Sequence, residues 1–439
     1  MKEEKIMAAA IGFLMIIVIV ALLLKGKMSP IVVLAIVPTI SALILGFVPT
    51  DILGFIADGI KTTTSNGILF IFSVIYFGVL SDTGLFDVIV YWLVKKAGNN
   101  VIAVTVVTAM IATIAHLDGT TAVTVLITIP AMYPVYKRMN IDARILLCIT
   151  GACMGVMNLL PWGGPTARAA TVLQMDATEL WHMLIPLQIV GLVMNSVIAV
   201  LLGMYAVKKG AGAGKGVEVE TNEKEKAETE ALKKSRGYLI FNFLLTVAVI
   251  AALSTGVGKS YVIFMLGLCV LLAVNYPDQK IQDKLVKKHA PAALIISATL
   301  FAAGAMVGIF DGTGMLEAMA NAIMAVIPAA MGKYIHIIFG ILALPFGLCV
   351  GTDAYFYGIM PLVMQVGETY GVASLNTALT MLIGKNLALM VSPLVPATYL
   401  AIGLTGTELK DHMKFSIPPY YVVSLIMLVL GVILGIISL

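Results

Sequence analysis

Long runs without Lys, Arg, Asp or Glu constrain this chain more than any other feature. They cover residues 6–24, 30–48, 183–207, 237–258, 290–310 and 415–439. A helix of about 20 apolar residues crosses the ~30 Å hydrocarbon core of a bilayer. A helix on the surface of a soluble protein would carry a polar face, which these runs lack. Hydrophobic residues make up 60% of the 439-residue chain, so we predict a multi-pass membrane protein. The small net charge of +4 gives no reason to expect a nucleic-acid partner.

The predicted fold is an all-α polytopic membrane protein of about ten transmembrane helices, with two re-entrant hairpins and two interrupted helices. We expect spans at about 6–24, 30–48, 65–84, 145–175, 183–207, 237–258, 260–276, 290–310, 372–407 and 415–438. The hairpins are expected at about 101–136 and 334–369. Their apolar arms, roughly 16 residues each, are short for a full crossing, which favours re-entry. The interrupted helices are those at about 145–175 and 372–407.

The distribution of Lys and Arg predicts the orientation. With both termini outside, nearly all basic residues fall on the inner side; Lys2, Lys5, Lys61, Lys259 and Lys333 fall outside. This asymmetry is expected for a protein of the cell inner membrane. The Gly-rich and then densely charged segment 206–236 is predicted to be a cytoplasmic linker. Each half would hold five spans, an odd number, so 1–205 and 237–439 are predicted to be inverted repeats.

Short sequence matches support the repeat. The tips of the predicted hairpins read HLDGTTA (116–122) and VGTDAYFYG (350–358), each with one Asp near Thr and Gly. The interrupted helices contain LPWGGPTARAA (160–170) and SPLVPATYLAI (392–402), in which a Pro precedes a Thr by the same spacing. Inverted repeats with broken helices are typical of secondary transporters.

Two acids mark the predicted hairpin tips. Asp118 and Asp353 are flanked by charge-free arms, and an ionisable group at bilayer depth is by default a functional candidate. We assign both acids to a metal or coupling ion; the alternative is a location in loops at the membrane surface. His116, beside the first tip, is a candidate for proton coupling because it titrates near physiological pH, or else it is a packing residue.

The tips and breaks together predict an anion site. Each creates a helix N-terminus with free N–H donors and partial positive charge. The candidate substrate-binding residues are Thr120, Thr121, Asn158, Gly163, Gly164, Thr166, Arg168, Thr352 and Thr398. Arg168 is expected to bind a carboxylate of the cargo or, alternatively, to pair with Asp118. Lys385 ranks lower, because a lysine can extend its ammonium towards the membrane surface.

Several strings resemble the citrate–divalent-metal:proton symporter family of the ion transporter superfamily. The strongest are GVMNLLPWGGPTARAA (155–170) and SPLVPATYLAIGLTG (392–406), and the similarity continues along nearly the whole chain. The resemblance implies inverted repeats with cargo at the hairpin tips, and uptake of citrate complexed with Mg²⁺ or Ca²⁺ and driven by protons. Superfamily analogy implies a homodimer. The tips differ from the family pattern LDGDGTT and Thr-Pro-Asp, which leaves other di- or tricarboxylates open.

These observations predict a secondary transporter that imports citrate or a related di- or tricarboxylate by alternating access. The cargo is expected as a divalent-metal complex, with H⁺ or Na⁺ as the coupling ion. A cation/proton antiporter without carboxylate cargo is the alternative, although it would not need Arg168 beside an anion site. An enzyme is not expected, since no nucleophile–base motif occurs in the sequence.

Overall fold

The computed structural model describes residues 2–25, 27–212, 236–325 and 329–438. Within these ranges the chain forms helices and turns and no strand, which confirms the predicted all-α class. Most of the predicted linker 206–236 lies outside the described residues.

The helices of the first half follow one another through short turns. They are α1 Lys2–Lys25, α2 Pro30–Ile44, α3 Pro49–Asp82, α4 Leu85–Ala97, α5 Val101–Ala115, α6 Thr121–Arg138, α7 Ala143–Met157, α8 Gly164–Val172 and α9 Ala177–Lys208. A 3₁₀ turn, His116–Asp118, separates α5 from α6.

The second half has a similar succession of long and short helices, with one additional short helix, Ala329–Gly332. They are α10 Arg236–Thr255, α11 Ser260–Asn275, α12 Gln279–Thr313, α13 Met315–Met324, α14 Ala329–Gly332, α15 Ile335–Cys349, α16 Met360–Thr369, α17 Ser374–Asn386, α18 Pro396–Thr405 and α19 Leu409–Ile433. A π-helical turn, Ala354–Ile359, precedes α16, and a 3₁₀ turn, Leu389–Val391, precedes α18.

Seven helices in the described part of the chain are long and apolar enough to cross a membrane. The predicted hairpins coincide with α5–α6 and α15–α16, and the predicted interruptions separate α7 from α8 and α17 from α18.

Local chemistry explains the first hairpin. Asn100 caps α5 by accepting a hydrogen bond from the Ala103 N–H at 3.0 Å. Gly119 then adopts φ +73°, a left-handed conformation that suits glycine, and the chain reverses.

One expectation from the sequence was wrong in detail. The span predicted at 65–84 is the C-terminal part of α3, which begins at Pro49. The charge-free run set the predicted start, whereas the helix continues through Asp58 and Lys61, whose side chains are exposed. Of the four cysteines, Cys148 and Cys153 are buried, and Cys269 and Cys349 are exposed.

The two longest helices, α3 and α12, cross through glycines. A Cβ added to Gly59 would collide with the backbone oxygen of Gly304, and one added to Gly308 would collide with the Phe55 oxygen. The two backbones are therefore in direct contact, as in other membrane helix pairs with small residues at the crossing. This contact joins the first half of the chain to the second.

We expect Gly59→Ala to destabilise the folded protein, because overpacking a close contact costs about 1–3 kcal/mol. The comparison is Gly54→Ala, in the same helix, where an added Cβ meets nothing within 4 Å. Thermal unfolding in detergent should show a lower transition temperature for Gly59→Ala only. Equal transition temperatures for the two variants would contradict the close crossing.

Candidate functional site

A cavity of about 720 Å³ lies where both hairpin tips meet both helix interruptions. Its wall includes Gly119, Thr120, Thr121 and Ala122 from the first tip, and Gly351, Thr352, Asp353 and Ala354 from the second. The interruptions contribute Asn158, Gly164, Pro165, Arg168, Leu389, Leu394, Val395 and Pro396. Phe70 of α3 and Ile296 of α12 form part of the wall. The cavity reaches the protein surface at the α1–α2 turn, where Lys27 and Ser29 line it and are exposed.

Several helices begin at this cavity. Thr121 starts α6, Gly164 starts α8 and Pro396 starts α18, while Ala354 begins the π-helical turn before α16. The N–H groups of a first helical turn have no partner inside their own helix, and the helix dipole adds partial positive charge there. The structure therefore brings together the predicted N-termini, and a carboxylate is the ligand that such an arrangement favours.

The first tip holds its acid inside the loop. Asp118 is 7% exposed. Its Oδ1 accepts a hydrogen bond from the Thr120 N–H at 2.9 Å, and its Oδ2 accepts one from the Thr120 hydroxyl at 2.6 Å. The indole N–H of Trp162 donates to the Leu117 carbonyl at 2.6 Å, which fastens the tip to the first interruption. Asp118 thus orients Thr120, and Thr120 is the residue that lines the cavity.

The second tip holds its acid in an ion pair between the two halves of the chain. Arg168 Nε donates to Asp353 Oδ1 at 2.6 Å, and Arg168 Nη1 donates to the Gly164 carbonyl at 3.0 Å. The structural partner of Arg168 is therefore Asp353 and not Asp118, the alternative considered from the sequence. Both Arg168 and Asp353 line the cavity.

Lys385 was underestimated from the sequence. It is 2% exposed and does not extend towards the membrane surface. Its ammonium donates to Thr352 Oγ1 at 3.0 Å and lies 5.4 Å and 5.0 Å from the ring centroids of Tyr355 and Phe356. The sequence did contain a signal for a functional role of Lys385, because it is a lone charge in an apolar run.

Three predicted binding residues face the interruptions instead of the cavity. The Thr166 hydroxyl donates to the Asn158 carbonyl at 2.9 Å, and the Thr398 hydroxyl donates to the Leu389 carbonyl at 3.4 Å. The Gly163 N–H donates to the Leu160 carbonyl at 2.8 Å. These groups pair backbone that the interruptions leave free, which is a structural requirement at membrane depth.

His116 and Asn158 form a buried pair behind the first tip. The His116 Nδ1 lies 2.6 Å from the Thr124 hydroxyl, and its Nε2 lies 3.2 Å from Asn158 Oδ1. Asn158 also lines the cavity, and its Nδ2 is buried without a hydrogen-bond partner in the described residues. A buried donor is costly to leave unpaired, so Asn158 is a candidate donor to a bound carboxylate. His116 does not reach the cavity wall, and its role in proton coupling stays a prediction.

The described part of the chain contains no cluster of three or more His, Cys, Asp or Glu side chains that could hold a metal ion. A metal that travels with a chelating cargo takes ligands from that cargo, and water can complete its shell. The oxygen atoms of Thr120 and Asp353 at the wall are of the kind that Mg²⁺ and Ca²⁺ prefer, but Asp353 is already paired with Arg168.

Helices that end and restart at a polar cavity are typical of membrane transporters, and comparisons with known proteins agree. A citrate transporter family model matches residues 5–384. The chain is 36% identical over 432 residues to a citrate transporter of Bacillus subtilis (strain 168), covering 98% of this chain and 100% of that protein. It is 34% identical to a Mg²⁺/citrate complex secondary transporter of the same organism, covering 98% of this chain and 99% of that protein. The chain belongs to the citrate transporter family, and its relatives are transporters and not enzymes.

A solved structure shares the fold. The YdaH transporter of Alcanivorax borkumensis superposes with a TM-score of 0.56 and 15% identity, covering 85% of this chain and 86% of that one. This likeness concerns the fold alone.

Proposed function

We propose that this protein is a secondary active transporter that imports citrate, or a related di- or tricarboxylate, as a complex with Mg²⁺ or Ca²⁺. The observation that carries the proposal is the cavity at which both tips and both interruptions meet. Arg168, Thr352, Thr121, Asn158 and the helix N-termini would bind carboxylate oxygens. The names of the relatives at 36% and 34% identity support the class of cargo.

The balance of charge favours a metal complex over free citrate. Counted as ionised, Arg168 and Lys385 contribute one positive charge each and Asp118 and Asp353 one negative charge each, so these four groups sum to zero. Lys27 adds one positive charge at the exposed mouth of the cavity. Fully ionised citrate carries three negative charges, and one bound divalent ion reduces its charge to minus one. The complex is therefore cheaper to bring into the inner part of the cavity, where these four groups leave no surplus positive charge.

The two ends of the molecule differ in a way that suits alternating access. The cavity reaches the surface at Lys27 and Ser29, the side predicted to be cytoplasmic. Asp311 lies 15 residues beyond the cavity residue Ile296 on α12, which is about 22 Å along a helix. There Gln174, in the turn after α8, donates a hydrogen bond to Asp311. We propose that this contact belongs to an inward-open state, and that it breaks when the cavity opens outward.

The location, orientation, oligomeric state and coupling ion that we propose are those predicted from the sequence. We place the protein in the cell inner membrane as a homodimer, with both termini outside, the linker 206–236 cytoplasmic, and hairpins that re-enter the membrane within inverted repeats. H⁺ or Na⁺ is the proposed coupling ion.

Binding of citrate to the purified protein, with and without divalent ions, tests this proposal. We expect tight binding of citrate in Mg²⁺ or Ca²⁺ and at least about tenfold weaker binding in a chelator such as EDTA, since each retained negative charge costs more than about 1.4 kcal/mol in such a site. Succinate and tricarballylate serve as comparison carboxylates. Proteoliposomes that exchange Na⁺ for H⁺ without any carboxylate would support the antiporter alternative and contradict the proposal.

A further inference from the structure

At each hairpin tip, one of the threonines that line the cavity has a hydroxyl bonded to a charged side chain. Thr120 is bonded to Asp118, and Thr352 is bonded to Lys385. A hydroxyl has one proton to donate and two lone pairs that accept. The charged partner therefore decides which of these remains available to a bound molecule.

At the first tip the partner takes the proton. An ionised carboxylate only accepts hydrogen bonds, so the Thr120 hydroxyl donates to Asp118 Oδ2, at 2.6 Å. The Thr120 N–H donates to the other carboxylate oxygen at 2.9 Å and fixes the geometry. What Thr120 Oγ1 presents to the cavity is its lone pairs, and a neutral oxygen of this kind is a ligand for Mg²⁺ or Ca²⁺.

At the second tip the partner takes a lone pair. An ammonium group only donates, so Thr352 Oγ1 accepts from Lys385 at 3.0 Å and its own proton stays available. The lysine is held in place. A Cβ at Gly347 would lie 2.8 Å from Lys385 Cγ, so the glycine leaves room for the lysine stem. The free proton of Thr352 suits a carboxylate oxygen.

The other charged groups at the second tip increase the electrostatic difference between the two tips. Arg168 is paired with Asp353 there, so that tip carries two cations and one carboxylate. A divalent ion would be repelled by this surplus, whereas an anionic oxygen would be attracted. The first tip carries one carboxylate, Asp118, beside Thr120.

We propose that the two tips bind opposite ends of the cargo: Thr120 binds the divalent ion, and Thr352 binds a carboxylate that the metal leaves free. This inference rests on the proposed function and adds the orientation of the cargo and two specificity-determining residues. Thr120 should therefore determine the order of affinities for complexes with different metals. Thr352 should change the affinity for every metal complex by the same factor.

Affinities of purified Thr120→Val and Thr352→Val for citrate in Mg²⁺, Ca²⁺, Mn²⁺ or Ni²⁺ test the proposal. Thr352→Val should weaken binding of every complex by about tenfold, the effect of losing a hydrogen bond to a charged group, with the order of metals unchanged. Thr120→Val should change the order, with the ratio of Mg²⁺ to Ca²⁺ affinities shifted by more than about threefold.

Further variants separate hydroxyl polarity from folding. Thr120→Ser and Thr352→Ser keep the hydroxyl and should bind like the parent protein. Asp118→Asn presents an amide donor to Thr120 and should reproduce Thr120→Val, while Lys385→Met should reproduce Thr352→Val. Lys137→Met is the matched control, since this exposed lysine lies 4.5 Å over the Tyr133 ring, outside the cavity.

The results that would overturn the proposal are specific. One is a uniform loss for both valine variants with no change in the order of metals, and another is a changed order in Thr352→Val alone. Serine variants that bind as poorly as the valine variants would show that the hydroxyls do not matter. Failure of the unmodified protein to bind citrate with any metal would instead refute the proposed function.

Discussion

Asp353→Asn is expected to reduce uptake by at least about tenfold while tightening the binding of citrate complexes. The asparagine keeps the shape of the side chain but removes the negative charge that Arg168 contacts at 2.6 Å. Arg168 and Lys385 then face an anionic cargo without a counter-charge at that tip, so the cargo is held more strongly and released more slowly. Initial uptake rates in proteoliposomes and equilibrium binding in detergent measure the two effects separately.

Asp142→Asn is the matched control for this experiment. Asp142 pairs with Arg144 at 2.5 Å, but the two side chains are 35% and 39% exposed and lie outside the cavity. An exposed ion pair contributes about 0–1 kcal/mol, so binding and uptake should stay close to those of the parent protein. Asp353→Asn with normal turnover, or with weaker binding at normal protein yield, would show that Asp353 does not balance the cavity cations.

A short bis-methanethiosulfonate crosslink between Gln174→Cys and Asp311→Cys is expected to stop uptake almost completely. The two native side chains are in hydrogen-bond contact, so thiols at these positions are within reach of a short thiol-reactive linker. The bridge would hold the turn after α8 against the end of α12 that lies away from the cavity. Uptake should return on reduction with dithiothreitol. Cys269 and Cys349, which are exposed, should first be replaced by Ala.

A second cysteine pair controls for the effect of crosslinking itself. Asn242 and Asn275 are hydrogen-bonded at 2.9 Å between α10 and α11, which follow each other directly in the chain. Cysteines at these positions should bridge and leave uptake unchanged. If the Gln174–Asp311 bridge forms fully and transport continues at the normal rate, the contact does not have to open during the cycle.

The hairpins and interruptions were predictable because their signals are local. Charge-free arms, glycines at the tips and prolines in the interruptions lie next to the backbone that they reverse or break. Asp118 and Asp353 were recognised for the same reason. The structure placed Asp353 at the cavity wall and Asp118 behind Thr120, a distinction that sequence position does not encode.

The pairings were not predictable because they depend on distant parts of the chain. Arg168 and Asp353 are 185 residues apart, and from the sequence the only partner considered for Arg168 was Asp118. The burial of Lys385 depends on the space that Gly347 leaves in α15. The start of α3 was missed because a helix can continue beyond its apolar run through residues with exposed, charged side chains, such as Asp58.

The glycine crossing of α3 and α12 has a consequence for how the chain is assembled. Gly59 belongs to the first half and Gly304 and Gly308 to the second, so the surface around Gly59 has no partner until α12 has been synthesised. The first half made alone would expose to lipid a groove shaped for a helix backbone. Two fragments expressed together and divided between residues 213 and 235 keep both sides of this crossing, and the glycines supply the surface on which they can join.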